Sequence, residues 1–115
     1  MELIGDIKEF KKLNKIKITQ VQANMLNVLA CDAFRWKIMP IVYLDKKPKI
    51  AGKDFVGLFM RDKKIIAIFK DGNRVGCVLH EIAHHTCEGH GKKFRQTEKK
   101  LLTLYETKWK EIIKE

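Results

Sequence analysis

The stretch from His80 to His90, HEIAHHTCEGH, contains all four histidines of the chain. His80, Glu81 and His84 form the pattern H-E-x-x-H. On a helix, positions i and i+4 share a face, so this spacing turns both imidazoles toward one point. Glu81 falls on the flank of that face, where its carboxylate reaches a water more readily than a metal. His90 follows six residues after His84, between Gly89 and Gly91, and glycine lets a chain leave a helix sharply. Three neutral imidazoles with a fourth position left for water are the ligand set of a catalytic zinc. Val78, Leu79, Ile82 and Ala83 are interleaved with the histidines, so the helix that carries them must also bury an apolar side.

Other ligand sets compete with this one. Cys87 lies about one turn past His84 and reaches the ion if the helix persists. Glu98 is a candidate third ligand in a gluzincin-like arrangement. A site without metal, its histidines paired to carboxylates, is the plain alternative. His85 lies about 100° around the helix from His84, so it is expected to face away.

The rest of the chain supplies a frame for that helix. Residues 1–18 carry Lys8, Lys11, Lys12, Lys15 and Lys17 and read as a basic docking segment. Thr19 is placed to cap a helix over 20–37, with Val21, Met25, Val28, Leu29 and Ala33 as its apolar stripe. Ile41–Leu44 reads as a strand and 45–54 as a loop. Phe55–Arg61 and Lys64–Lys70 read as an antiparallel hairpin reversing at Arg61, Asp62 and Lys63. Asn73 is a candidate cap for an active helix over 74–87. A closing helix over 92–114 has Leu101, Leu102, Tyr105, Trp109 and Ile112 as its buried stripe. The expected fold is α+β. It comprises an N-terminal helix, a three-stranded sheet with antiparallel pairing, the H-E-x-x-H helix and a C-terminal helix, all in one domain over 1–115.

Composition narrows the setting. Lys and Arg number 24 against 14 Asp and Glu, a net charge of +10, which favours polyanionic partners. A lysine-rich surface kept for solubility explains the same excess. Lys11, Lys12, Lys15, Lys92, Lys93 and Arg95 are the candidate contacts for non-specific DNA. Cys31, Cys77 and Cys87 have no framework spacing, which suggests a reducing compartment. No run approaches the roughly 18 apolar residues that span a bilayer. A soluble, cytoplasmic protein is expected.

HEIAHH followed by EGHGKKF resembles the SprT-like (Spartan-type) zinc metalloproteases, in which H-E-x-x-H is followed by a histidine in an H-G-x-x-F context. His80, Glu81 and His84 match the first part, and His90, Gly91 and Phe94 the second. Ala51-Gly52 and the run Ile65–Phe69 resemble elements that precede that family's active helix. The insert between His84 and His90 is short, and a version without a separate recruitment domain is expected. The metzincin pattern also fits the spacing, but Cys87 stands at its glycine and no methionine follows the site. The resemblance implies a minimal zincin-like fold and a Zn2+ held by His80, His84 and His90. It further implies peptide-bond hydrolysis with Glu81 as general base, acting on proteins bound or crosslinked to DNA. A substrate peptide is expected to pair with the strand near Ile65–Phe69, and Tyr105 is a candidate oxyanion contact. The alternative is a non-catalytic, zinc-stabilised module that binds nucleic acid or protein. Glu81 separates the two, because a structural site needs no base and is closed by a fourth ligand.

Overall fold

A computed structural model describes residues 12–50, 52–54 and 56–113. Most of the expected docking segment over 1–18, with Lys11 and Ala51, lies outside the described residues. Thr19 opens α1 (Gln20–Phe34) with a capping box. Its hydroxyl accepts from the Gln22 amide at 3.1 Å, and the Gln22 side chain accepts from the Thr19 amide at 3.0 Å. This joins two otherwise unpaired groups of the first turn. Five strands follow: β1 (Ile41–Tyr43), β2 (Lys49–Ile50), β3 (Lys53–Asp54), β4 (Gly57–Met60) and β5 (Ile65–Ile68). Then come α2 (Val75–Ala83), α3 (Lys92–Leu104), a π-helical turn (Tyr105–Trp109) and α4 (Lys110–Ile112).

The fold is α+β, built on a three-stranded mixed sheet in the order β1-β5-β4. β5 runs parallel to β1 and antiparallel to β4, with Gly57 opposite Ile68 and Met60 opposite Ile65. The reversal falls at 61–64, as expected, and Lys64 takes φ 57° there. β2 and β3 form a small antiparallel pair within the stretch expected to be loop. Gly52 between them has φ 80°, a backbone that glycine adopts without strain. Ile66, Ile68, Val78, Leu79, Ile82, Phe94 and Leu101 meet in one buried cluster, so α2 lies between the sheet and α3.

α1 buries the opposite side from the one its apolar periodicity marks. Ala23, Leu26, Asn27, Ala30 and Cys31 are buried, whereas Val21 is 70% and Val28 47% exposed. The reason is the outer edge of β1, whose main-chain groups have no further strand to pair with among the described residues. Gln20, Asn24 and Asn27 recur at i, i+4 and i+7 on one helix face and supply the missing bonds. The Asn24 side chain donates to the Ile41 carbonyl and accepts from the Ile41 amide, both at 2.9 Å. Asn27 donates to the Met39 carbonyl at 2.8 Å, and Gln20 accepts from the Tyr43 amide at 2.7 Å. Leaving such buried groups unpaired costs more than exposing a few aliphatic side chains.

The closing helix departs from expectation at one point. Leu101, Leu102, Tyr105 and Trp109 are buried as expected, but Ile112 is exposed and Ile113 takes its place. The π-helical turn widens the helix, with the Lys110 amide bonded to the Tyr105 carbonyl. One extra residue in the turn moves the stripe on by one position.

The amide ladder makes a stability prediction. Asn24→Ala leaves the amide and carbonyl of Ile41 without partners and should cost about 2–4 kcal/mol in urea unfolding. Val28→Ala, on the stripe that faces solvent, should stay within about 0.5 kcal/mol of the parent. The reverse ranking would mean that the apolar stripe faces the core after all.

Candidate metal centre

α2 carries His80 and ends in the turn that holds His84, and both rings lie on one side. The helix closes sooner than expected, at Ala83, with the His84 amide bonded back to the Glu81 carbonyl at 3.1 Å. Arg74 occupies the capping position without a side-chain cap, and Asn73 instead accepts from the Ile18 amide through its main chain. The chain then turns back and brings His90 onto the same point. Gly89 and Gly91 are not needed for this on steric grounds. Neither has a positive φ, and a Cβ on either would meet open space.

One ring nitrogen from each of His80, His84 and His90 lies within 4.8 Å of the other two. Two hydrogen bonds decide which nitrogens are free. His80 Nδ1 donates to Glu98 Oε2 at 2.9 Å, and His84 Nδ1 donates to the Cys87 carbonyl at 3.0 Å. Each bond fixes its ring's tautomer and leaves the Nε2 lone pair for an ion. The Nε2 atoms of His80 and His90 stand 3.3 Å apart. Tetrahedral zinc with nitrogen ligands at about 2.0–2.1 Å requires about that separation. Phe94 is the floor of the group. Its ring centre lies 4.5 Å from that of His84 and 5.0 Å from those of His80 and His90.

Burial sets the charges to suit a cation. It pushes the His84 imidazole down to about 4, and the neighbouring His80, His90 and Arg61 act in the same sense; the Cys87 carbonyl acts against them. His90 is also lowered, by burial first and then by His80. Neutral rings at physiological pH are what a metal needs. Glu98 is fully buried, and its Oε1 has no partner. A buried carboxylate held by one hydrogen bond is costly without a nearby positive charge. A dication on the far nitrogen of His80 supplies that charge, so the donor set fits zinc. Glu98 therefore supports a ligand rather than acting as one. Cys87 holds His84 through its carbonyl, while its thiol points to the Gly89 carbonyl at 3.7 Å.

Glu81 is 7% exposed and opens onto a cleft of about 1110 Å³ together with the three histidines. Burial pushes its carboxyl up to about 7, against the attraction of His80. β4 forms the opposite wall, and Gly57 is what lets it approach. A Cβ at Gly57 would stand 2.9 Å from both Cγ and Oε2 of Glu81. Sequence reasoning missed Gly57, whose only signal is a glycine opening a strand. It also missed Arg61, which donates to the His84 carbonyl and pairs with Glu88 at 3.6 Å.

One expected role moves. The strand Ile65–Ile68 cannot accept a peptide, because β1 and β4 occupy both its edges; among the described residues the open edge on the cleft belongs to β4. Tyr105 packs in the core with the rest of its stripe, away from the cleft, so it is not an oxyanion contact. His85 does face away from the histidine cluster, and it stacks on Trp36 at 5.0 Å and meets Phe59 edge-on at 4.9 Å. The chain matches no protein-family model, no curated protein and no solved structure.

The hydrogen bond from His80 to Glu98 makes a measurable claim on metal affinity. Zinc should bind once per chain, and His90→Ala should lose it by competition with a chromophoric chelator. Glu98→Gln should weaken it by roughly 10–100-fold, the usual range for an outer-shell partner. Full occupancy with unchanged affinity in His90→Ala would remove His90 from the site.

Glu81 makes a claim on the metal-free protein. Its folded pKa lies above the unfolded value of 4.5. Its contribution is thus intact below pH 4.5 and is lost as pH rises toward 7. Metal-stripped Glu81→Gln should be more stable than the stripped parent at pH 8, by up to about 3 kcal/mol. The two should converge below pH 4.5 in denaturant titrations. His84 titrates in the opposite sense in both proteins, losing stability as pH falls from 6.5 toward 4.

Proposed function

We propose that the chain is a zinc-dependent metallopeptidase, with His80, His84 and His90 as ligands and Glu81 as general base. The observation that carries the reading is Glu81: a buried carboxylate beside three converging imidazoles and open to a cleft. Zinc held there supplies a Lewis acid and lowers the pKa of water toward about 7. Glu81 takes a proton from the attacking water and returns it to the leaving amine. The edge of β4 offers main-chain groups to an extended peptide, which holds the scissile bond between the histidines and Glu81. This reading accords with the SprT-like resemblance of His80–Phe94 and with a minimal zincin-like fold.

The non-catalytic alternative fits less well. Among the described residues no fourth side chain closes the histidine group, and a structural site would not keep a buried, unpaired base on an open cleft. The DNA-linked substrates that the resemblance implies are supported by charge alone. Lys12, Lys15, Lys92 and Lys93 are exposed, and Arg95 is half-buried.

Zinc-loaded protein should release fragments from an unfolded protein substrate and from a DNA-binding protein, read by mass spectrometry. Glu81→Gln should lower the rate by about 10²–10⁴-fold at equal zinc content. Gly57→Ala should lower it by roughly 100-fold, since the new methyl displaces the Glu81 carboxylate. Parental cleavage by Glu81→Gln would sink the mechanism.

A further inference from the structure

The cleft is electrically uneven along its length. Where α2 begins, Lys15 and Arg74 line its wall. The main chain holds them together: the Val75 amide donates to the Ile16 carbonyl and the Ile18 amide to the Asn73 carbonyl, both at 3.0 Å. Neither side chain makes an ion pair with a described residue. The acid at this end, Asp71, is tied to Lys47 at 2.8 Å, and that bond lowers its pKa. At the other end Arg61 is already engaged by Glu88 and the His84 carbonyl. Among the residues that line the cleft, the positive charge outside any ion pair is therefore at this end, where Arg74 acts on Asp71 without pairing to it.

We propose that Lys15 and Arg74 form a carboxylate subsite that selects an acidic side chain, or the C-terminal carboxylate of a short peptide, just after the scissile bond. This rests on the reading of the cleft as a peptidase site. The polarity follows from β4. Gly57 packs on Cys77 and Glu81, Phe59 faces His84, and Arg61 reaches the His84 carbonyl, so β4 and α2 run in the same sense. A peptide added antiparallel to β4, the commoner pairing, runs from the Arg61 end toward Arg74. Its residues after the scissile bond then approach the positive end. Arg74 precedes His80 by six residues, about 9 Å along a helix, and an extended chain covers that in about three residues. The subsite thus reads the first three positions after the bond.

Short peptides bearing a hydroxamate, which anchors on zinc, fix the register without any cleavage. With the anchor at the peptide's N-terminal end, the chain extends past the zinc toward Lys15 and Arg74. With the anchor at its C-terminal end, it extends the other way. Affinity for the zinc-loaded full chain is measured by calorimetry. Glu is compared with Gln at each position, and free with amidated C-termini. We expect Glu to bind about three- to tenfold tighter than Gln in one of the first three positions of the N-anchored series. A free C-terminus at that position should give a similar gain if the carboxylate may come from either source. Lys15→Gln and Arg74→Gln should each reduce the preference. The double charge reversal, Lys15→Glu with Arg74→Glu, should turn it toward Lys.

Equal affinity for Glu and Gln overturns the subsite, as does a preference confined to the C-anchored series or one unchanged in the variants. A short single-stranded oligonucleotide that displaces the peptide, and that both reversals weaken, assigns the patch to nucleic acid instead. Circular dichroism establishes that each variant is folded. The peptidase reading fails separately, if the parent and Glu81→Gln do not differ in cleavage while the acidic peptides still bind.

Discussion

The site depends on the convergence of three imidazoles that would otherwise repel or be hydrated apart. Each is held by something outside the triad. Glu98 fixes His80, the Cys87 carbonyl fixes His84, and Phe94 lies beneath all three rings. α3 supplies two of these three supports, Phe94 and Glu98, one helical turn apart. The contact between α2 and α3 is therefore what shapes the centre, and the closing helix acts as more than a cover for the core. The spacing His90-Gly91-x-x-Phe94 acquires a physical meaning here. Its histidine ends the loop, and its phenylalanine, just inside the next helix, seats the rings.

The convergence of His80 and His84 was legible in the sequence, because a helix converts H-E-x-x-H into geometry with few alternatives. His90 was legible through its proximity and the shortness of the insert. The role of Glu98 was not. A carboxylate eight residues past His90 can reach either the ion or a ligand's far nitrogen, and only the placement of α3 decides. Gly57 was invisible for a different reason. Its significance lies in a contact with Glu81 across 24 positions of sequence, and no local pattern records that.

The inverted face of α1 shows where periodicity misleads. Val21, Met25 and Val28 give a clean helical stripe, and the polar residues between them look like a solvated face. Gln20, Asn24 and Asn27 are instead the partners of β1, standing in for a strand that is not there. Hydrophobic patterning assumes that polar side chains seek water. A sheet edge against a helix offers main-chain donors and acceptors, which amides satisfy equally well. Ala23 and Ala30, being small, let the helix come close enough for the short amide side chains to reach. The same kind of failure, on a smaller scale, displaced Ile112 by Ile113: a 3.6-residue period cannot anticipate a π-helical turn.

Two carboxylates flank His80, and the fold treats them in opposite ways. Glu98 is wholly enclosed and is occupied as the acceptor for a ring N–H, which makes it an electrostatic support for the ligand. Glu81 accepts no hydrogen bond from the described residues and keeps one side on the cleft. Beside it stand the bare backbone of Gly57 and Cys77, whose buried thiol is itself driven well up by desolvation. In the metal-free protein this desolvation pushes the Glu81 carboxyl up to about 7. A side chain at position 57, or a donor in place of Cys77, would undo that shift by displacing the carboxylate or stabilising its charge. On the peptidase reading proposed above, the open strand edge is also the surface that desolvates the base. A chain bound along β4 would exclude water from Glu81 and raise its affinity for a proton, which favours its uptake from the attacking water.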